Sequence, residues 1–247
     1  MAATLEGRAL TEAHRLLQAR LSAQTVDKLL DVWTLLDPLA LNTDDWLASA
    51  LAVVLQQRKV SVQAATAYQR QFSAAELGRR PRAVGVSADP PNLQQIATSL
   101  VTQGPYRLRK LAASGTPIAE ALATSSRTSA AAGTRHSLAG GRSLIDNATA
   151  SDPDALGARR VCSAGCCAFC AMLAARSYSG LTAVYFKAHD NCHCQPETAY
   201  SAGPQDATRQ AREFAALYRD AQEDRQPGTK NPGLNAFRRA LDEQRRN

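Results

Sequence analysis

A mainly α fold, with long N-terminal helices ahead of a small α/β module near the C-terminus, is what this sequence predicts, and three observations predict it. Alanine and leucine are abundant while aromatics make up only 5% of the 247 residues, a composition that favours helix over sheet. Apolar residues up to Gly78 recur at helical rather than alternating spacing. All six cysteines fall between Cys162 and Cys194, together with His189 and His193. That stretch carries chemistry the rest of the chain lacks.

Taken in order, residues 9–36 place Leu10, Leu16, Leu17, Leu21, Val26, Leu29, Leu30, Trp33 and Leu36 on one face of an amphipathic helix. A break is expected near Ser22–Thr25, and Asp37-Pro38 ends the segment. Asn42-Thr43-Asp44-Asp45 then reads as an N-cap with acidic residues in the first turn, where they complement the helix dipole. The helix it opens keeps Leu47, Leu51, Val54, Leu55, Val62, Ala65, Tyr68 and Phe72 together and stops at Gly78. Such a stripe reads as core between two antiparallel helices, or alternatively as a seam for another chain. Arg79-Arg80-Pro81-Arg82 through Asp89-Pro90-Pro91 is a proline-rich connector. Shorter helices follow at 92–103 and 106–113, and a third runs from Pro117, in the favoured first helical position, to about Leu138. Gly140-Gly141 is expected to break the chain before a last piece at 142–149. The small residues of 121–133 require either a close neighbour or mobility. The organisation expected is an N-terminal long-helix region at 1–78, a basic helical region at 79–160, the Cys/His module at 161–204 and a helical tail at 205–247.

Within the module, Cys167-x-x-Cys170 and His189-x-x-Cys192-x-Cys194 have the spacing of a structural zinc site, two short clusters each supplying ligands from one tight turn. A zinc-stabilised α/β unit is therefore expected, with Cys167, Cys170, His189, Cys192 and Cys194 as candidate ligands and Phe169, Met172 and Leu173 covering them. Leu181–Phe186 reads as one strand of a hairpin returning to the His189 turn. Asp190 is a candidate partner for an imidazole, or an exposed turn aspartate, and His193 is expected at the surface. Six cysteines also allow fifteen disulfide pairings, but the opening Met1–Arg8 stretch has no apolar export segment. Reduced thiols are the expected state.

The same stretch, Arg159-Arg-Val-Cys-Ser-Ala-Gly-Cys-Cys-Ala-Phe-Cys-Ala-Met-Leu-Ala-Ala-Arg176 followed by Val184-Tyr-Phe-Lys-Ala-His-Asp-Asn-Cys-His-Cys-Gln-Pro-Glu-Thr-Ala-Tyr200, resembles the C-terminal motif of MuF-like phage minor head proteins of the actinobacteriophage type. Cys167, Phe169, Cys170, Met172, Leu173, Ala174 and Arg176 fall on its first half, and Tyr185, His189, Cys192, Cys194, Pro196 and Glu197 on its second. Cys162 and Cys166 stand where that family has a small residue and a proline. The resemblance implies metal binding by Cys167, Cys170, His189 and Cys192, with Cys194 as a fifth ligand or as the fourth in place of His189. It further implies a low-copy structural component of a tailed phage, assembled with the portal and major capsid proteins in the host cytoplasm. Its final place would be the virion interior near the portal.

Charge is concentrated between residues 79 and 160, where eleven basic side chains face five acidic ones. Arg79, Arg80, Arg82, Arg107, Arg109 and Lys110 belong to this stretch and are candidates for neutralising the phosphates of packaged DNA, or else a solvated arginine-rich surface. Beyond it, residues 205–223 and 234–246 read as helices joined by a Pro/Gly linker, the last folding back on the body or docking on a partner. No run of apolar residues is long enough for a membrane span, which leaves a protein without a membrane partner as the expectation. No Gly-x-Ser-x-Gly elbow, phosphate-cradling loop or His-Glu-x-x-His occurs. Two alternatives to the head component stand beside it: a capsid maturation protease using a serine with His14 or His136, and a zinc-knuckle nucleic-acid binder.

Overall fold

The chain begins in a helix because Thr4 caps it: its hydroxyl accepts from the Gly7 amide at 2.9 Å and itself donates to Glu76 at 2.7 Å. In the computed structural model, which describes residues 2, 4–37, 43–81, 85–163, 165–176, 186, 188–201 and 209–246, helix α1 runs Leu5–Trp33 and α2 runs Asp44–Leu77. Gly78, at φ 64°, ends α2 in the left-handed conformation that glycine adopts without strain. Contacts fix the directions: Thr4 meets Glu76, Thr11 meets Tyr68 and Gln18 meets Ser61, so α1 and α2 are antiparallel.

Two short helices return the chain. Asn92 caps α3 (Leu93–Gln103) through the Gln95 amide, and Pro105 opens α4 (Pro105–Ala113). The third long helix, α5 (Ile118–Ser151), lies against both α1 and α2 and buries more residues than either. Arg58 donates to the His136 carbonyl at 3.2 Å, and Gln69 and Thr149 meet at the Thr198 hydroxyl. Higher numbers on α2 match higher numbers on α5, so these two run parallel.

Two expectations are corrected here. Gly140 and Gly141 do not break α5; they let α2 cross it. A Cβ on Gly140 would lie 2.7 Å from Arg58 Cγ, and one on Gly141 would lie 2.8 Å from the Ser61 carbonyl oxygen. Likewise α1 continues unbroken through Ser22 and Thr25, both buried, and Thr25 donates back to the Leu21 carbonyl at 2.7 Å. Its inward face is Gly7, Thr11, His14, Gln18, Leu21, Ser22, Thr25 and Leu29, a run of mostly small or polar residues. Leu16 and Leu17 remain 44% and 46% exposed. The close packing that residues 121–133 required is present, with Ala121, Ser125, Ser129 and Ala130 buried.

After α5 the chain forms strand β1 (Gly157–Val161), helix α6 (Ala168–Arg176) and strand β2 (Gln195–Ala199), with β1 and β2 antiparallel and Arg159 opposite Glu197. Of the expected strand at 181–186, residues 181–185 lie outside the described residues. Helix α7 (Arg209–Asp220), a 3₁₀ turn at Ala221–Asp224 and helix α8 (Pro232–Gln244) complete the chain. The last helix folds back: Ala236, Phe237 and Leu241 are buried in one cluster with α6 and the cysteines, and the Phe237 ring meets Tyr218 at 5.3 Å. The protein is thus mostly helical, with its cysteine cluster near the C-terminus.

Candidate metal centre

Three tight turns deliver the sulfur and nitrogen donors. Cys167 precedes α6, and the Cys170 amide donates toward its Sγ from 3.4 Å. At the second turn the Cys192 amide bonds the His189 carbonyl at 3.1 Å, with Asn191 at φ 60°. Asparagine tolerates that left-handed position, and the turn brings residues 189 and 192 to one side. The third turn closes from the Cys166 amide to the Ser163 carbonyl at 3.1 Å around Gly165, φ 70°. It draws Cys162 and Cys166 together.

The donors converge closely. His189 Nε2 lies 3.0 Å from Cys167 Sγ and 3.5 Å from Cys170 Sγ, and Cys170 Sγ lies 3.6 Å from Cys192 Sγ. A tetrahedral ion with metal–sulfur bonds of about 2.3 Å needs donor–donor edges of about 3.8 Å; Cys167, Cys170 and His189 keep their donor atoms within 4.8 Å of one another and could hold a metal ion, while Cys192 is gathered with Cys170 and Cys194. His189 Nδ1 is 2.6 Å from the Asp190 carbonyl oxygen; donating there leaves Nε2 unprotonated toward the thiols. Asp190 therefore serves the imidazole through its backbone, while its carboxylate pairs with Arg135 at 2.6 Å. Half-buried His193 donates nothing to the cluster, and its pKa is lowered by burial.

Cys194 sits between two groups of thiols. Its Sγ groups with Cys170 and Cys192 on one side and with Cys162 and Cys166 on the other, not with Cys167 and His189. Thiols from Cys162, Cys166, Cys170 and Cys192 donate toward it and hold its pKa far below the usual thiol range. All six cysteines are free thiols, and five of them are buried. Phe169, Met172 and Leu173 pack over the cluster as expected, joined by Phe214 and Phe237.

Two arginines that the sequence did not assign to this site back it. Arg142, 2% exposed, donates Nε to the Cys194 carbonyl at 3.2 Å and Nη2 to the Cys192 carbonyl. Arg160 Nη1 lies 3.5 Å from Cys170 Sγ and 3.8 Å from Cys192 Sγ, with its guanidinium 3.7 Å over the Phe186 ring. Arg160 stands at the start of the motif stretch, two residues before Cys162, while its place among the basic residues of 79–160 pointed to phosphates or solvent instead. Glu197, fully buried, pairs with Arg159 at 3.6 Å and accepts from Thr11 at 2.5 Å, fastening β2 to α1.

A family model described as VG15 protein matches residues 6–221, most of the chain. The chain belongs to the VG15 protein family. This is a phage-type family, and the match spans the helical body and every cysteine but stops short of α8, which seals the cluster. Searches of curated proteins and of solved structures give no match. No described helix of this VG15 protein is long and apolar enough to cross a membrane.

The remaining candidate residues lie apart. Arg79 pairs with Asp154 beyond the C-terminal end of α5, and Arg80 is exposed beside it. Half-buried Arg107 and exposed Arg109 and Lys110 sit on α4, which packs toward the other half of α5, a helix of 34 residues and so about 50 Å long. Arg82 lies outside the described residues. His14 is stacked on Tyr68 at 4.3 Å, and burial lowers its pKa to about 4. His136 lines a cleft of about 550 Å³ with Arg58, Arg135 and Asp146, and burial with Arg135 lowers it to about 4. Its Nε2 faces Arg135 at 3.1 Å; among the described residues neither ring meets a serine hydroxyl.

Proposed function

We propose that this VG15 protein is a structural minor component of a tailed-phage head, that it assembles with the portal and major capsid proteins in the procapsid, and that zinc occupies its cysteine cluster. The observation that carries this reading is where the motif residues go. Cys170, Cys192 and Cys194 are 1–3% exposed and Glu197 is 0% exposed, so the motif is turned inward and fastens α6, β1, β2 and α8 to the helical body. A hydrolytic metal site keeps a coordination position open to water and a base beside it. Here sulfur and nitrogen donors outnumber the positions of one ion, and apolar side chains close over all the thiols but exposed Cys167. Thiolate and imidazole together favour zinc over hard ions. Rigidity is what such a centre contributes, because metal binding and folding of the module are one equilibrium.

Quantitative mass spectrometry of purified particles from the encoding phage or prophage tests the reading. A few to some tens of intact copies per virion are expected, with cross-links to the portal. Absence from both procapsids and mature particles would contradict it.

A further inference from the structure

Cys162 and Cys166 take no part in the site described so far, yet both are buried and both meet Cys194. The donors of the whole cluster form three overlapping triads, each with its atoms within 4.8 Å of one another: Cys167–Cys170–His189, Cys170–Cys192–Cys194 and Cys162–Cys166–Cys194. The outer two share no residue. Cys192 belongs to the middle triad alone and contacts the sulfur that links it to each side.

From this juxtaposition we infer that the cluster is a two-metal centre. One ion is held by Cys167, Cys170, His189 and Cys192, the other by Cys162, Cys166, Cys194 and the same Cys192, whose thiolate bridges them.

Three independent observations converge on this arrangement. The first is donor number: six sulfurs and one imidazole make seven donors, two tetrahedral ions need eight positions, and one bridging thiolate closes the difference. The second is charge. Two divalent ions against six thiolates and a neutral imidazole leave two negative charges, and two buried guanidiniums, Arg142 and Arg160, lie against this cluster. Buried charge that is unmatched is costly. The third is local: Arg160 reaches toward Cys170 and Cys192, the sulfur assigned as the bridge, and the Gly165 turn places Cys162 and Cys166 as the Asn191 turn places His189 and Cys192. Arg245, from the end of α8, donates to the Cys166 carbonyl and closes that side.

This inference rests on the metal-binding reading of the cluster and is independent of any role in a phage head. Elemental analysis and native mass spectrometry of the purified full chain test it. Two zinc ions per chain are expected, falling to one in Cys166→Ser with the other retained. One zinc in the parent, unchanged in Cys166→Ser, would overturn the second site and leave the first intact; so would a Cys162–Cys166 disulfide found by thiol titration and peptide mapping. No metal at all, or iron with acid-labile sulfide, would overturn both. Should Cys166→Ser fail to fold, titration of the metal-free parent with cobalt(II) decides. Thiolate-to-cobalt absorption saturating at two equivalents, with a magnetic moment lowered by coupling through the shared sulfur, supports the bridged pair. Saturation at one equivalent overturns it.

Discussion

Glu197 shows how a single residue can tie the two halves of the molecule together. Its carboxylate is fully buried, opposite Arg159 on the neighbouring strand and bonded to Thr11 of α1. Glu197→Ala removes the buried carboxylate opposite Arg159 together with the bond from Thr11, so urea unfolding should show a loss of about 3–5 kcal/mol. Replacing both partners with apolar residues should cost less than either single change, since neither charge of the pair then remains in the interior. His14 offers a test of opposite sign. Both its ring nitrogens lack a hydrogen-bond partner among the described residues, and burial lowers its pKa from 6.5 to about 4. The fold therefore favours the neutral ring: this contribution is whole above pH 6.5 and declines as pH falls toward about 4, by at most about 1.4 kcal/mol per pH unit. His14→Phe keeps the stack on Tyr68 and removes the titration. Its stability advantage over the parent should widen as pH falls through that window; parallel pH profiles would show that His14 does not titrate as described.

At the scale of elements, the α2–α5 crossing depends on the absence of side chains. Alanine in an exposed helix is favoured over glycine by about 1 kcal/mol, yet a Cβ on Gly141 would meet Ser61 Oγ at 2.6 Å and its carbonyl oxygen at 2.8 Å. Gly141→Ala should therefore destabilise, by about 1–3 kcal/mol as for overpacked cores, and a stabilised variant would mean that the helices do not cross there. Phe237→Ala should cost about 3–5 kcal/mol, felt first around α6. The helices themselves were legible, because period and punctuation agree at Thr43, Gly78 and Gly104-Pro105. The faces of α1 were not: Thr11, Gln18, Ser22 and Thr25 allow close helix contact, and hydropathy ranks them below Leu16 and Leu17, which stay half exposed. Gly140-Gly141 carries the same local signal whether it breaks a helix or admits a neighbour, and only the distant α2 decides. Strands β1 and β2 escaped notice for a related reason, since Gly-Ala-Arg-Arg-Val and Gln-Pro-Glu-Thr-Ala have no apolar alternation and are held by pairing across more than thirty residues.

For the whole molecule, the division of labour is between a helical body, packed through small and polar residues of α1, α2 and α5, and a C-terminal module of β1, β2, α6, α7 and α8 gathered on the thiols. Ligand spacing marked five candidate donors of that module. Cys162 and Cys166, and the buried roles of Arg142 and Arg160, were not, because charge balance in an interior has no signature along the chain. If metal holds the module, its stability must depend on metal while that of the body does not. Hydrogen exchange of the full chain, measured before and after chelation, tests this most directly. The account predicts that amides of α6, β1, β2 and α8 lose protection when metal is removed while the centres of α1, α2 and α5 keep theirs; unchanged protection throughout would contradict it.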